Sequence, residues 1–195
     1  MAKKAASLII FIAAAALVFT MFIFSSQDDK ASSDLSRDVS RFIAETVNPS
    51  YWKRCGSTVR ENILDFMSLP VRKTAHFAEY ALLGVLLMCG FMCLRFPMPL
   101  RALYSFLICA AAAAADEYHQ SFVSGRAGMV ADVLLDILGG ACGILLVIIL
   151  CLAGLYLIGH IRLKKGARRR RPPEQKKTQY RAAPPPDGAG TEFRA

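Results

Sequence analysis

The sequence predicts an all-α polytopic membrane protein: four transmembrane helices, both termini cytoplasmic, and short amphipathic helices in the first outer loop. Three observations predict it. Of the 195 residues 54% are hydrophobic, too many for an ordinary soluble domain. The charged residues, 20% of the chain, are segregated from the apolar runs rather than mixed into them. Finally, Lys and Arg gather in alternate connections, the asymmetry that orients a multi-pass protein.

Crossing about 30 Å of hydrocarbon at about 1.5 Å per residue takes about 20 residues. The first apolar run, 8–24, follows Lys3-Lys4 and so has the outline of a signal peptide. Phe24 precedes Ser25-Ser26-Gln27 at its exit, with no well-placed small-x-small pair, which favours a retained anchor. The outer loop 25–71 is too long for a plain connection. Within it Leu35, Val39, Phe42, Ile43 and Val47 recur at helical spacing between Asp34, Arg37, Asp38, Arg41 and Glu45, an amphipathic helix capped near Ser33. A second segment, 58–68, offers Val59, Ile63, Phe66 and Met67 on one side, and Asn48-Pro49 separates the two. Helices of this kind lie on the membrane interface or over the bundle as a lid.

Pro70 suits the start of the second membrane helix, where its missing N–H is an orphan in any case. The second span is 76–94. The third apolar run, 102–115, reaches spanning length only by continuing through Asp116 to about residue 123, which places Asp116-Glu117-x-His119-Gln120 inside the helix near its outer end. The fourth span is 133–159. The alanine run 110–115, and Gly139, Gly140 and Gly143, let helix backbones approach closely. From residue 160 the arginine run 168–171 and the prolines at 172–173 and 184–186 predict a disordered basic tail, its partner the anionic lipid of the inner leaflet. Residues 1–159 thus form the membrane domain and 160–195 the tail.

Placing the N-terminus, the loop 95–101 and the tail on one side collects 15 of the 24 basic residues there and only 3 of the 15 acidic ones. That side is read as the cytoplasm. Five of the six cysteines lie in apolar spans, so no disulfide framework is implied. No specific nucleic-acid partner is expected. Tyr80, Tyr118 and Trp52 read as anchors at the headgroup level.

This topology brings the polar ends of spans two, three and four to the outer face. His76 and Glu79 share a helix face, Asp116 and His119 repeat that spacing, and Asp132 and Asp136 lie four apart above Gly139 and Gly143. Charged groups at membrane depth cost about 2.5–3.5 kcal/mol each at a helix centre, so they point to function or to mutual pairing. The favoured reading is a polar pocket in which Arg72, Lys73 and Arg126, with Gln27, Glu117, Gln120 and Asp136, bind the headgroup of a membrane lipid or lipid-linked envelope molecule. The runner-up is a membrane-embedded hydrolase, in which His76, Glu79, Asp116, His119 and Asp132 ligate a divalent metal or work as acid and base. No His-Glu-x-x-His spacing is present, and a metal is not the favoured cofactor. The third reading is a scaffold in which Arg126 pairs with Asp132 or Asp116, and His76 with Glu79, to hold the bundle together.

At these residues the chain resembles the VanZ-like family of bacterial membrane proteins. The matching elements are Ser25-Ser26-Gln27, then Arg72-Lys73-x-x-His76-Phe77-x-Glu79-Tyr80, then Asp116-Glu117-x-His119-Gln120-x-Phe122, and Gly125-Arg126 followed by Asp132, Asp136 and Gly139. Their order covers roughly residues 8–155. The resemblance implies a protein acting at the cell surface and a link to resistance against the lipoglycopeptide teicoplanin; it carries over no catalytic residues.

Overall fold

The computed structural model describes residues 2–27, 29–123 and 128–169. They form six helices and, among the described residues, no strand: α1 (Ala2–Ser25), α2 (Asp29–Val47), α3 (Pro49–Arg54), α4 (Ser57–Met92), α5 (Met98–Gln120) and α6 (Val130–Arg169). Four are long and apolar enough to cross a membrane, namely α1, α4, α5 and the stretch Val130–Arg162 of α6. The chain divides into two compact units, Met1–Leu152 and Ala153–Ala195, and the packing described below belongs to the first.

α4 is the central helix. A third of its most apolar stretch is buried against protein, against 17% in each of the other three. On one side it meets α1 through Ser7, Ala14 and Met21, buried positions seven residues apart, the repeat of two helices crossing at a shallow angle. The Ser7 hydroxyl donates to the Gly90 carbonyl over 3.0 Å. A Cβ on Gly90 would stand 2.7 Å from the Phe11 ring, so the glycine permits that approach.

On its other side α4 meets α6 backbone to backbone. A Cβ on Gly139 would collide with the Phe77 carbonyl, one on Gly143 with the Ala81 carbonyl, and one on Gly84 with the Gly140 carbonyl. α4 therefore occupies the groove that the glycine spacing in α6 opens. Large apolar side chains turned away from these seams, such as Leu8, Ile12 and Phe19 of α1 and Leu145 and Ile149 of α6, stay exposed. They form the surface that lipid covers in a bilayer.

The outer segment departs from the sequence expectation. Residues 58–68 are no separate helix: they run straight into the second span, and Pro70 lies inside the 36-residue α4 rather than at its start. Proline costs one backbone hydrogen bond there. Contacts from α2 along this half of α4 offset that loss. Arg37 bonds both Glu61 and Asp65, one turn apart on α4. Ser36 and Ser40 are buried, each giving its hydroxyl proton to the carbonyl four residues back, and α2 packs along α4.

Two expected interface anchors are instead buried in protein. Tyr80 is 1% exposed and belongs to the core with Leu83, Leu87 and Cys109. Trp52, 8% exposed, donates its indole N–H to Glu45 over 3.1 Å and carries the Arg60 guanidinium 5.5 Å above its ring, tying α3 to α2 and α4. Tyr118 is exposed, as an anchor requires. The helix α6 also continues to Arg169, so residues 160–169 are helical where the sequence reading expects a disordered tail. Lys, Arg and Ala are good helix formers, and an established helix propagates into them at little cost. The rest of the tail, 170–195, lies outside the described residues.

Candidate functional site

The polar ends of α4, α5 and α6 meet in a cluster of three side chains. A ring nitrogen of His76 and one carboxylate oxygen each from Asp116 and Asp136 all lie within 4.8 Å of one another. Local structure fixes each. His76 sits one turn outward of the buried Tyr80, and Asp136 one turn outward of the Gly139–Gly140 contact with α4, so the seam that draws the helices together aims both inward. Asp116 projects from α5, and its Oδ2 accepts a 3.1 Å hydrogen bond from the Gln120 amide one turn on.

Burial here is nearly complete: Asp116 is 1% exposed and Asp136 2%. Oδ1 of each has no hydrogen-bond partner among the described residues. An unsatisfied buried acceptor costs about 1–3 kcal/mol, more when charged. Two such atoms side by side mark a place where the described residues leave polar groups uncompensated.

The remaining site residues take other partners. Asp132, one turn outward of Asp136, pairs with Lys73 across α4 and α6. His119 lies with its Nε2 3.0 Å from the Ser26 hydroxyl at the end of α1, its ring 5.7 Å from that of Phe22. The Ser26 hydroxyl also lies 2.6 Å from the Phe22 carbonyl, to which it can donate. Glu117 is buried and accepts the Met129 N–H, fastening the entry of α6 to the end of α5. Gly125 and Arg126, and with them the pairings expected for Arg126, lie outside the described residues.

A cavity of about 210 Å³ opens beside the cluster, between the ends of α1, α2 and α4. Arg72, His76 and Glu79 of α4 and Gln27 after α1 line its polar side. Leu35 and Val39 of α2 and Phe24 of α1, all exposed, line the other. His76 belongs to both the cavity and the carboxylate cluster. Four residues singled out in the sequence thus share one cavity, Asp136 belongs to the cluster itself, and Lys73, Glu117 and Gln120 are held in contacts around it. The walls supplied by α2 had no signal in the sequence beyond its amphipathic period.

Chemically, the cluster offers one imidazole nitrogen and two carboxylates, donors suited to a divalent cation or to proton transfer, and the cavity offers a guanidinium beside an apolar wall. Searches of curated proteins and of solved structures return no match to the chain. The family model VanZ/LLP1 does match, over residues 9–151, a stretch that takes in α1 to α5, the cluster and the glycine seam of α6. With nearly three quarters of its length so matched, this multi-pass membrane chain belongs to the VanZ/LLP1 family.

Proposed function

We propose that this protein works in the bacterial plasma membrane, where its cavity binds the headgroup of an amphiphilic envelope molecule from the outer leaflet, and that this binding underlies resistance to lipoglycopeptides such as teicoplanin. The observation that carries the reading is the two-sided lining of the cavity. Arg72 can hold a phosphate or carboxylate through paired N–H donors, while Leu35, Val39 and Phe24 continue from it onto an exposed apolar surface. Ligand pockets that enclose a drug-sized molecule run to about 300–1,000 Å³. At about 210 Å³ this one suits a headgroup whose tail stays in lipid. The outward orientation follows from the excess of basic residues at the other end, where Lys3, Lys4, Arg95 and Arg101 surround a second cavity.

A second reading is hydrolysis within the membrane, with the cluster of His76, Asp116 and Asp136 as acid, base or metal site. The unpartnered oxygens of the two aspartates favour it.

Ala75 lines the cavity and is exposed, so Ala75→Trp fills the space without entering the helix packing. Native mass spectrometry of protein extracted with its lipids should show a retained anionic amphiphile on the wild type and its loss from Ala75→Trp. Cells expressing the wild type should tolerate more teicoplanin than cells with equal membrane levels of the variant. Equal lipid retention by both proteins would sink the binding proposal; retention that differs without any change in tolerance would remove the resistance link alone.

A further inference from the structure

We infer that His76, Asp116 and Asp136 form a binding site for one first-row divalent cation, of the Zn²⁺ or Mn²⁺ type, bridging α4, α5 and α6. The donor set is one nitrogen and two oxygens within 4.8 Å of one another. Imidazole with carboxylates suits Zn²⁺ or Mn²⁺, whereas Mg²⁺ and Ca²⁺ favour all-oxygen shells and Cu⁺ favours sulfur. Ligand atoms about 2.1 Å from a tetrahedral ion stand about 3.4 Å apart, a spacing these side chains reach by small rotations about their χ angles.

The independent observation is the pair of orphaned oxygens. Asp116 Oδ1 and Asp136 Oδ1 are buried without a partner among the described residues, and their side chains are almost wholly enclosed. Neighbouring polar groups are already engaged. Gln120 bonds the other oxygen of Asp116, Lys73 is drawn to Asp132, and His119 to Ser26. A cation would satisfy both oxygens at once, and among the described residues no lysine or arginine pairs with either carboxyl group. Gln120 supports the site from behind, as the outer partners of metal-ligating carboxylates do.

This set differs from the one suggested by sequence spacing. It keeps His76 and Asp116, takes in Asp136, and leaves Asp132 and His119 with other partners. The difference makes the inference testable residue by residue, and it stands apart from the amphiphile reading, because an ion can be held whatever the cavity contains.

The full-length protein, purified in detergent and stripped with chelator, is titrated with ZnCl₂, MnCl₂ or MgCl₂. Retained metal is counted by mass spectrometry after desalting, and thermal unfolding is followed in parallel. Wild type should keep one Zn²⁺ or Mn²⁺ per chain and unfold several degrees higher with the metal than without it, with no such response to Mg²⁺. Asp136→Asn and Asp116→Asn should each reduce retained metal at least tenfold; His76→Gln gives the same result if either aspartate variant fails to fold. Asp132→Asn and His119→Ala should bind as wild type does. Wild-type protein with neither stoichiometric metal nor thermal response overturns the inference. So does metal retained equally by Asp136→Asn, and so does loss confined to Asp132→Asn and His119→Ala, which would return the site to the other set of residues.

Discussion

Two neighbouring layers of the helix bundle are buried for opposite reasons. In the glycine seam, Gly139 and Gly143 of α6 bring their backbone against Phe77 and Ala81 of α4, and all four residues lie inside helices, whose backbone groups pair within the helix. One turn outward, Asp136 and Asp116 are as fully enclosed, yet each leaves an oxygen without a partner. The seam is buried because contact stabilises it. The carboxylates are buried because the seam and the core around Tyr80 hold their helices where they are. Stability in one region sustains an arrangement in the other that would not form alone, a common division between scaffold and site.

The largest expected effect comes from breaking the seam. A side chain at Gly143 collides with the Ala81 backbone, which cannot rotate away as a side chain would. Overpacking in a tight core costs about 1–3 kcal/mol and sometimes more. Gly143→Leu should therefore lose folded protein from the membrane fraction, or melt far below wild type on fluorescence-detected size exclusion. Gly154→Leu, which meets nothing within 4 Å, should be tolerated. Equal behaviour of the two would mean that close backbone approach does not hold α4 to α6.

The next effect should have the opposite sign. Replacing a buried ionic group by a neutral one of equal shape is often neutral or stabilising, since desolvation outweighs the interactions gained. In chelator, the double variant Asp116→Asn with Asp136→Asn should unfold at or above the wild-type temperature. A fall as large as that from Gly143→Leu would show that the aspartates are structural, and the contrast between the two regions would disappear.

Much of this contrast was legible in the sequence. Asp132, Asp136, Gly139 and Gly143 lie on one stripe of a helix, so acids above a glycine groove follow from spacing alone. The four apolar spans and the gathering of charge at one end follow from composition. Which acid takes which partner did not follow. Lys73 and His76 are three residues apart, and only the relative height of α4 and α6 decides that the lysine meets Asp132 while the histidine meets Asp136. That height is set by contacts such as Gly84 on Gly140, which are remote in sequence. Tyr80 and Trp52 depart from the sequence expectation for a related reason: an aromatic residue suits a lipid interface and a protein core equally well until its neighbours are known.

The smallest effect should come from the outermost layer, where α2 is fastened to α4 by Arg37 between Glu61 and Asp65. Both acids are more than half exposed, so water and salt weaken the attraction, and pairs of this kind contribute about 0.2–1 kcal/mol. Arg37→Ala should leave the unfolding temperature of the spans nearly unchanged while raising hydrogen exchange of α2 amides a few-fold, with high salt producing a similar rise in wild type. The reason is geometric. α2 also packs along α4 beyond these pairs, with Ser36 and Ser40 buried, so losing the ion pairs loosens the helix without removing its seat. If Arg37→Ala instead lowered the unfolding temperature as Gly143→Leu does, the outer helices would belong to the same cooperative unit as the seam, and the cavity wall made by Leu35 and Val39 would be as rigid as the helices it covers.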